Sequence, residues 1–237
     1  MKNENYKVMK FLERDRIANI TLIESIKHNH SETIYQDSEC VLIYDIPSET
    51  MLLSSKSMSS VVKALKVLKE PADFLVIQKE YWKYVAKTFE LEKSAEYYQA
   101  VYDSKKIHLV NDGEYYQLLK EDDMFLAEKY YQTQNKQYLY ARILNSSLWM
   151  CSVENKIVGF VGKHDDGSIG MLQFLPECRG LGYGKKLLRF ITKVYLEREE
   201  TPYSQISCSN EGSMYLHKNI GYSLSADTVI WLTSKCF

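Results

Sequence analysis

The chain has 237 residues, of which 45% are hydrophobic, so it can form one large folded domain or two small ones. Thirty lysines and arginines nearly balance 31 aspartates and glutamates, and the formal net charge is -1. This balance gives no overall positive field, which argues against nucleic acid or an anionic membrane as partner and favours a small molecule.

The N-terminal segment, residues 1–16, carries charges throughout and lacks the apolar core of a secretory signal. No stretch has the roughly 20 apolar residues of a membrane-spanning helix. Five cysteines are scattered without a Cys-x-x-Cys pair, and no His-x-x-x-His set occurs, so neither a disulfide framework nor a metal site is expected. The sequence predicts a reduced, soluble, cytoplasmic protein; its oligomeric state is left open.

The first hundred residues are predicted to form a small α+β unit. Two helical pieces over residues 4–28 precede elements in the order β-β-α-β-α-β. Ser57 is available as N-cap of the first helix in that series. No glycine occurs before Gly113, so this part has no glycine-rich phosphate loop. A charged segment near residue 106 predicts a boundary between domains 1–106 and 107–237.

The second part is predicted to have the order β-α-α-β-β-β-α-β-α-β. The dipeptide Asp166-Gly167 suits a tight hairpin turn between two of its strands. His164, Asp165 and Asp166 in this turn are expected to be solvated. The helix that follows the third consecutive strand is long and has one apolar face.

The stretch "LPECRGLGYGKKLL", residues 175–188, places Gly180, Gly182 and Gly184 directly before that helix. The first N–H groups of a helix have no partner within it and carry a partial positive charge. No Ser, Thr, Asp or Asn lies between Pro176 and Lys186 to cap them. Because glycine lets an oxygen approach the main chain closely, the stretch predicts an anion site that suits a diphosphate.

The spacing of the glycines separates three kinds of phosphate loop. A Walker loop needs glycine at position 179 and Ser or Thr at position 186, where Arg179 and Lys186 stand. A dinucleotide fingerprint needs a further glycine at position 185 or 187. The remaining pattern, R-x-x-G-x-G, is met by Arg179, Gly182 and Gly184. Since an antiparallel hairpin precedes it, this pattern points to coenzyme A.

A second motif follows in the expected order, and with it residues 108–237 resemble the GNAT superfamily of acyl-CoA-dependent N-acyltransferases. "LQFLPECRGLGYGKKLL" is similar to the family's strand, Pro-Glu, R-x-x-G-x-G and helix. "NEGSMYLHKNIGY" is similar to N-x-x-[AS]-x-x-L-Y-x-x-x-G-F, with His217 in place of the motif's tyrosine and Tyr222 in place of its phenylalanine. The resemblance implies an α+β fold with a mixed, mostly antiparallel sheet that splays in a V. The first half loosely resembles a degenerate copy, as in the glycine-N-acyltransferase-like branch.

The resemblance also implies acetyl-CoA, or another acyl-CoA, as cosubstrate. The implied coenzyme-binding residues lie at the end of a strand, in the glycine loop and at the start of the last helix; they are Phe174, Leu175, Arg179, Gly180, Leu181, Gly182, Tyr183, Gly184, Lys185, Asn210 and Ser213. Main-chain groups at Phe174 and Leu175 are implied to bind the pantetheine amides where the sheet splays.

For catalysis, the resemblance places His217 where the family's tyrosine protonates the departing thiolate. A histidine pKa of about 6.5 suits that task at neutral pH. An alternative is that His217 merely faces solvent or the coenzyme, and Tyr215 is a second candidate acid. Gln173 in the preceding strand cannot act as a base, so a water relay is expected. A covalent route through Cys178 is the less favoured alternative.

The sequence thus predicts an N-acyltransferase of the GNAT type that moves an acetyl or short acyl group to a primary amine. Attack is expected to be direct, in a ternary complex with a small-molecule or peptide acceptor. A non-catalytic acyl-CoA binding module is the alternative function. The acceptor's identity is set by loops that carry no recognisable pattern.

Overall fold

The structure is a computed structural model that describes residues 2–70, 72–109, 113–131 and 135–234. It divides into two compact units. Unit 1 comprises Met1–Val101, Gln205–Met214 and Ser223–Phe237, whereas unit 2 comprises Tyr102–Ser204 and Tyr215–Tyr222.

The described chain contains both strands and helices. The strands are β1 (Ser31–Gln36), β2 (Cys40–Asp45), β3 (Thr50–Ser55), β4 (Asp73–Val76), β5 (Leu91–Val101), β6 (Glu114–Leu118), β7 (Leu148–Val153), β8 (Lys156–Lys163), β9 (Ile169–Phe174), β10 (Tyr203–Ser207) and β11 (Ser223–Ser234). The α-helices are α1 (Lys2–Leu12), α2 (Ile20–Lys27), α3 (Met58–Leu65), α4 (Trp82–Phe89), α5 (Met124–Tyr130), α6 (Lys136–Leu144), α7 (Tyr183–Glu197) and α8 (Glu211–Ile220).

Unit 1 contains a sheet in the order β1-β2-β3-β4-β11-β5, with one parallel pair, β3 with β4. Successive side chains of a strand point to opposite faces, and each face here has its own core. Leu42 and Leu53 pack with the apolar residues of α3 and α4. Ile43 and Leu52 pack with those of α1 and α2. The unit therefore has helices on both faces of its sheet.

Unit 2 contains the antiparallel series β9-β8-β7-β6. Leu148 and Phe160 of these strands share a core with α5 and α6. Leu187, Leu188 and Ile191 form the buried face of α7, which contacts β8 and β9. Because apolar positions recur every three or four residues along α7, its opposite face is left for charged side chains.

Two elements pass from one unit to the other along the chain. Strand β10 begins in unit 2, where Ser204 pairs in parallel with Ile169 of β9, and its last residues belong to unit 1. Helix α8 begins in unit 1 and ends in unit 2. β11 belongs to unit 1 because it pairs with β4 and β5.

The predicted fold class, α+β with a mixed and mostly antiparallel sheet, is confirmed, as is the order of elements after residue 107. The order in the first half was incomplete, since β1 precedes the two predicted strands. β1 pairs with β2 and leaves most of its side chains partly exposed, so its apolar pattern is weak. The division into domains 1–106 and 107–237 stays a prediction; the two compact units are not continuous in sequence.

None of the helices in the described part of the chain combines the length and the apolar character that a membrane crossing requires.

Candidate active site

The glycine loop lies between β9 and α7 in unit 2. After a short 3-10 turn at Pro176–Cys178, Gly180 and Gly182 adopt φ of +77° and +83°. Gly182 is the N-cap of α7, and among the described residues no side-chain hydrogen bond caps this helix start. A Cβ built on Gly180 or Gly182 meets nothing within 4 Å, so the space beside the main chain is open. The start of α7 therefore presents an accessible, partly positive surface to an anion.

The third glycine has a different role. A Cβ on Gly184 would lie 3.4 Å from Leu216 Cδ2 and 3.5 Å from Phe174 Cζ, which is van der Waals contact. The first turn of α7 thus packs against the end of β9 and the second half of α8. The ring of Phe174 therefore lies next to Gly184.

Main-chain bonds at the end of β9 limit what Leu175 can offer. Its N–H donates to the carbonyl of Val158 at 3.2 Å, and its carbonyl accepts from the N–H of Cys178 at 2.9 Å. A carbonyl oxygen has two lone pairs, so Leu175 retains one acceptor position but no donor.

The charged residues of the loop point to solvent. Arg179 and Lys185 are exposed, as is Leu181 between them, whereas Tyr183 is half-buried. The N–H of Lys185 donates to the carbonyl of Gly182 at 3.2 Å, a tightened first turn of α7. Lys186 instead forms an ion pair with the buried carboxylate of Glu114. Arg179 and Lys185 are therefore the cations that flank the loop.

Helix α3 of unit 1 provides a comparison within the chain. It also follows a strand that pairs in parallel with the next strand, but it has a side-chain cap. The hydroxyl of Ser57 accepts from the N–H of Ser60 at 3.4 Å and donates to Glu39 at 2.7 Å. The protein thus caps this helix start with its own side chain, whereas the N-cap of α7 is a glycine.

Asn210 and Ser213 lie at the start of α8, in unit 1. The side-chain oxygen of Asn210 accepts from the N–H of Ser213 at 3.0 Å, which is the geometry of an N-cap. This pair defines where α8 begins.

His217 is buried in unit 2, with 4% of its surface exposed. Its Nε2 lies 3.0 Å from the hydroxyl oxygen of Ser204, and its ring meets that of Tyr222 edge-on at 5.0 Å. The alternative that His217 faces solvent is therefore wrong. Tyr215, the second candidate acid, is 73% exposed and lies on another side of α8.

Strand β9 contains a bulge that the sequence analysis did not predict. Between the pairs Phe160–Gln173 and Gly162–Gly170, two residues of β9 face one residue of β8. Met171 at this bulge has φ of +54°. Its carbonyl accepts a hydrogen bond from the hydroxyl of Tyr131. No glycine stands at the position of positive φ, so the sequence contains no signal for it.

The turn between β8 and β9 was expected to be solvated, and the structure corrects this. Asp165 forms an ion pair with the buried Arg142, and Asp166 accepts from Ser168. The Nδ1 of His164 lies 2.6 Å from the hydroxyl of Tyr138. Burial lowers the pKa of His164, although Asp166 and Asp165 oppose this. Tyr138 and Arg142 of α6 cover the turn. The sequence of the turn contains no sign of these contacts.

Known proteins share the fold of this chain. Residues 151–232 match the family model described as FR47-like protein. A protein from Drosophila has a similar structure, with a TM-score of 0.68 at 13% identity over 99% of this chain and 97% of that one. A GCN5-related N-acetyltransferase from Kribbella flavida has a TM-score of 0.60 at 10% identity over 94% and 96% of the two chains.

The chain has the fold of the GNAT superfamily. An acetyltransferase of the GNAT family from Colwellia psychrerythraea is also similar, with a TM-score of 0.53 at 13% identity over 91% and 96% of the two chains. No curated protein matches the sequence. The GNAT resemblance is confirmed at the level of the superfamily, whereas the glycine-N-acyltransferase-like branch and the degenerate first half stay predictions.

The described residues contain no cluster of three or more His, Cys, Asp or Glu side chains suited to hold a metal ion.

Proposed function

We propose that the chain is an N-acyltransferase that moves an acetyl or another short acyl group from acyl-CoA to a primary amine by direct attack. The observation that supports this most is the start of α7, uncapped and open behind two glycines of positive φ, in a chain with the GNAT fold. The amine is that of a small molecule or a peptide.

The residues of the loop fit a diphosphate. We infer that the main-chain N–H groups of residues 181–184 hold it, with Arg179 and Lys185 as flanking cations. Gly180 and Gly182 allow close approach because no side chain fills the space. The end of β9, at Phe174 and Leu175, would receive the pantetheine arm, with Leu175 contributing a carbonyl acceptor only.

The remainder of the inferred set lies at the start of α8. The hydrogen bond between Asn210 and Ser213 fixes where α8 begins. We infer that these two residues contribute to coenzyme binding by fixing this helix end.

Bound acyl-CoA supplies the activated acyl carbon and a thiolate leaving group. Among the residues of this chain, we assign His217 as the proton donor to that thiolate, with Ser204 holding one ring nitrogen. Gln173 is not a base: its amide donates to the carbonyl of Tyr130. The proton of the attacking amine therefore leaves through water.

A matched pair of variants tests the coenzyme site. Gly182→Asp and Gly182→Asn both accept positive φ and have the same size, but only the aspartate places a negative charge at the helix start. We expect Gly182→Asp to weaken acetyl-CoA binding by at least about tenfold more than Gly182→Asn, with a difference that shrinks as salt is added. Equal affinities of the two variants, measured by titration calorimetry, would contradict the assignment of the loop.

A second experiment tests catalysis. Release of free thiol from acetyl-CoA is followed with a panel of primary amines, and thermal unfolding is measured with acetyl-CoA, ATP and NAD. Saturating acetyl-CoA, at about a hundred times its dissociation constant, should raise stability by about 2.7 kcal/mol. Amine-dependent thiol release supports the enzyme. Stabilisation without release across the panel favours an acyl-CoA binding module, and stronger stabilisation by ATP or NAD contradicts both.

A further inference from the structure

A cavity of about 470 Å³ lies in unit 1, between α1 and the turn that joins β1 to β2. We call it the α1 cavity. Val8 and Phe11 of α1 and Val41 of β2 supply the apolar part of its lining, and all three are buried. Its volume lies within the range of small-molecule sites. All of its lining residues belong to unit 1, whereas the glycine loop belongs to unit 2.

Three cations from one side of α1 line the α1 cavity. Lys7, Lys10 and Arg14 are exposed and follow one another at intervals of three and four residues. Arg14 lies in the 3-10 turn Glu13–Asp15 that directly continues α1. Residues at this spacing lie on one face of a helix, where like charges repel and destabilise it. An anion bound between these side chains would remove that repulsion.

The three cations have no carboxylate partner in the described part of the chain. Lys7, Lys10 and Arg14 take part in no ion pair there. Elsewhere on the surface, the exposed Lys136 pairs with Glu128 at 2.9 Å. The cationic face of α1 is therefore a local departure from a chain whose formal net charge is -1.

Asp37 is the one carboxylate among the described residues that line the cavity, and internal donors hold it. The hydroxyls of Tyr35 and Ser60 each donate to its Oδ2 at 2.8 Å. The N–H of Glu39 donates to its Oδ1 at 2.7 Å. These bonds tie the carboxylate to its own turn rather than to α1. Three cations against one carboxylate leave the lining with a formal charge of +2.

The ring of Phe11 brings a further cation to the same place. The Cζ atom of Arg14 lies 5.8 Å from the ring centroid, and the Nζ atom of Lys56 lies 5.9 Å from it. Lys56 makes no ion pair with a described residue either. A guanidinium that lies over an aromatic ring retains its N–H groups, which can form paired hydrogen bonds with a phosphate or a carboxylate.

We propose that the α1 cavity binds a small organic polyanion, a molecule with at least two phosphate or carboxylate groups. The lining charge of +2 calls for two negative charges. Lys7 and Arg14 are about 10 Å apart along the helix axis, so separate anionic groups reach them better than a single one. Arg14 would bind one group in paired hydrogen bonds, and the two lysines would bind another. The proposal does not depend on the proposed acyltransferase function.

Titration calorimetry with pyrophosphate and with tricarballylate tests this site. Lys10→Gln and Arg14→Gln each remove one cation of the cavity at an exposed position, so both variants should fold. Lys87→Gln is the matched control, because Lys87 is also an exposed helical lysine, in α4, without an ion pair among the described residues. We expect each cavity variant to weaken polyanion binding at least about tenfold. The control should change the affinity by less than about twofold.

Pyrophosphate could also occupy the glycine loop, so its titration is repeated with Gly182→Asp. This variant should still bind pyrophosphate at the α1 cavity, with the same loss on Lys10→Gln. Tighter binding of pyrophosphate assigns the site to a phosphate compound, and tighter binding of tricarballylate assigns it to a polycarboxylate.

Three results would overturn the proposal. Neither probe binds, or Lys87→Gln weakens binding as much as Lys10→Gln does, which would indicate general attraction of anions to positive charge. The third is pyrophosphate binding that Gly182→Asp abolishes and Lys10→Gln leaves intact. That result would place the anion at the glycine loop alone and would leave the proposed function standing.

Discussion

The Nε2 atom of His217 lies 3.0 Å from the hydroxyl oxygen of Ser204, although the two residues belong to different elements, α8 and β10. The bond holds a buried imidazole in one orientation, with Tyr222 packed edge-on against it. The fixed ring of His217 can donate a proton only to a group that its free edge faces. Tyr215 is exposed and is not held in this way, so variants of the two residues can separate their roles.

Replacing His217 with glutamine tests its role as proton donor. Glutamine keeps an amide near Ser204 but does not titrate, so amine-dependent thiol release should fall about 10²- to 10⁴-fold. The dissociation constant for acetyl-CoA should change little, because glutamine leaves the glycine loop unaltered and can keep the hydrogen bond to Ser204. Stopped-flow thiol release and calorimetry provide the two readings.

The matched control for this test is Tyr215→Phe, which removes the hydroxyl of the exposed tyrosine two residues earlier. It should behave as the intact protein in both measurements. If His217→Gln released thiol at the unaltered rate, or if Tyr215→Phe showed the larger loss, His217 would not be the donor.

Alanine at Gly182 and at Gly184 should have opposite effects on stability. Gly182 has φ of +83°, so alanine there costs about 1 kcal/mol although no atom obstructs its Cβ. Gly184 lies in α7, where alanine fits against Leu216 and Phe174 and is favoured over glycine by up to about 1 kcal/mol. Urea unfolding of both variants gives the two values; a more stable Gly182→Ala would contradict the strain that this φ implies.

The order of elements after residue 107 was predictable because each element has a strong local signal. α7 has a regular apolar face, and the hairpin after β8 has Asp166-Gly167 at its tip. β1 was missed because an edge strand buries few side chains and has a weak pattern. The glycine spacing indicated an open main chain before α7, and Gly180 and Gly182 do adopt positive φ; the binding residues assigned to this loop stay a prediction.

Three features depended on contacts distant in sequence and had no local signal. The positive φ of Met171 is tolerated where Tyr131 binds its carbonyl. The expectation that Asp165 is solvated was wrong because Arg142 of α6 forms an ion pair with it. The assignment of β11 to unit 1 follows from pairing with β4 and β5, which no pattern within β11 shows.

Cysteine reactivity should follow burial. Burial raises the pKa of Cys40 and of Cys151 to about 12, so both thiols are protonated and unreactive near neutral pH. Cys208 is exposed and Cys178 is half-buried beside the glycine loop. In a Cys236→Ser background, a thiol reagent should label Cys208 first and Cys178 next, with the other two labelled only on unfolding.

Acetyl-CoA should slow the labelling of Cys178 and leave that of Cys208 unchanged, if the loop binds the coenzyme. Peptide mapping by mass spectrometry identifies the modified thiols. Early labelling of Cys40 or Cys151 under native conditions would show that the cores around them open readily.

The free energy of unfolding should decrease as the pH is lowered, because of His164. Its folded pKa lies below the ordinary value of about 6.5 because burial disfavours the charged ring. The unfolded chain therefore binds the extra proton first, and the contribution present above pH 6.5 is lost as pH falls towards the folded pKa. The loss per pH unit approaches about 1.4 kcal/mol for one proton.

The variant His164→Asn isolates the pH-dependent stability that His164 contributes, because the other histidines are present in both the intact protein and the variant. Urea unfolding between pH 5 and 8 should show a steeper decline for the intact protein than for the variant, with equal slopes above about pH 7. Identical pH profiles would mean that His164 is protonated as readily in the folded protein as in the unfolded chain.

The packing of His164 against β9 is testable through Gly170. A Cβ on Gly170 would lie 2.1 Å from Nε2 of His164, so the ring would have to leave its bond with Tyr138. Gly170→Ala should therefore cost about 1–3 kcal/mol of unfolding free energy. In a His164→Ala background the obstacle is gone, and most of that cost should disappear, a coupling of at least about 1 kcal/mol.

Gly159→Ala provides the control for this double-mutant cycle. Its Cβ would lie 2.5 Å from the main-chain carbonyl of Gln173, an obstacle that truncating His164 does not remove. Both alanines should destabilise the intact protein, but only the cost at Gly170 should depend on His164. Because an imidazole that lay elsewhere would leave Gly170→Ala uncoupled, an additive cycle would show that the ring of His164 does not occupy this position in solution.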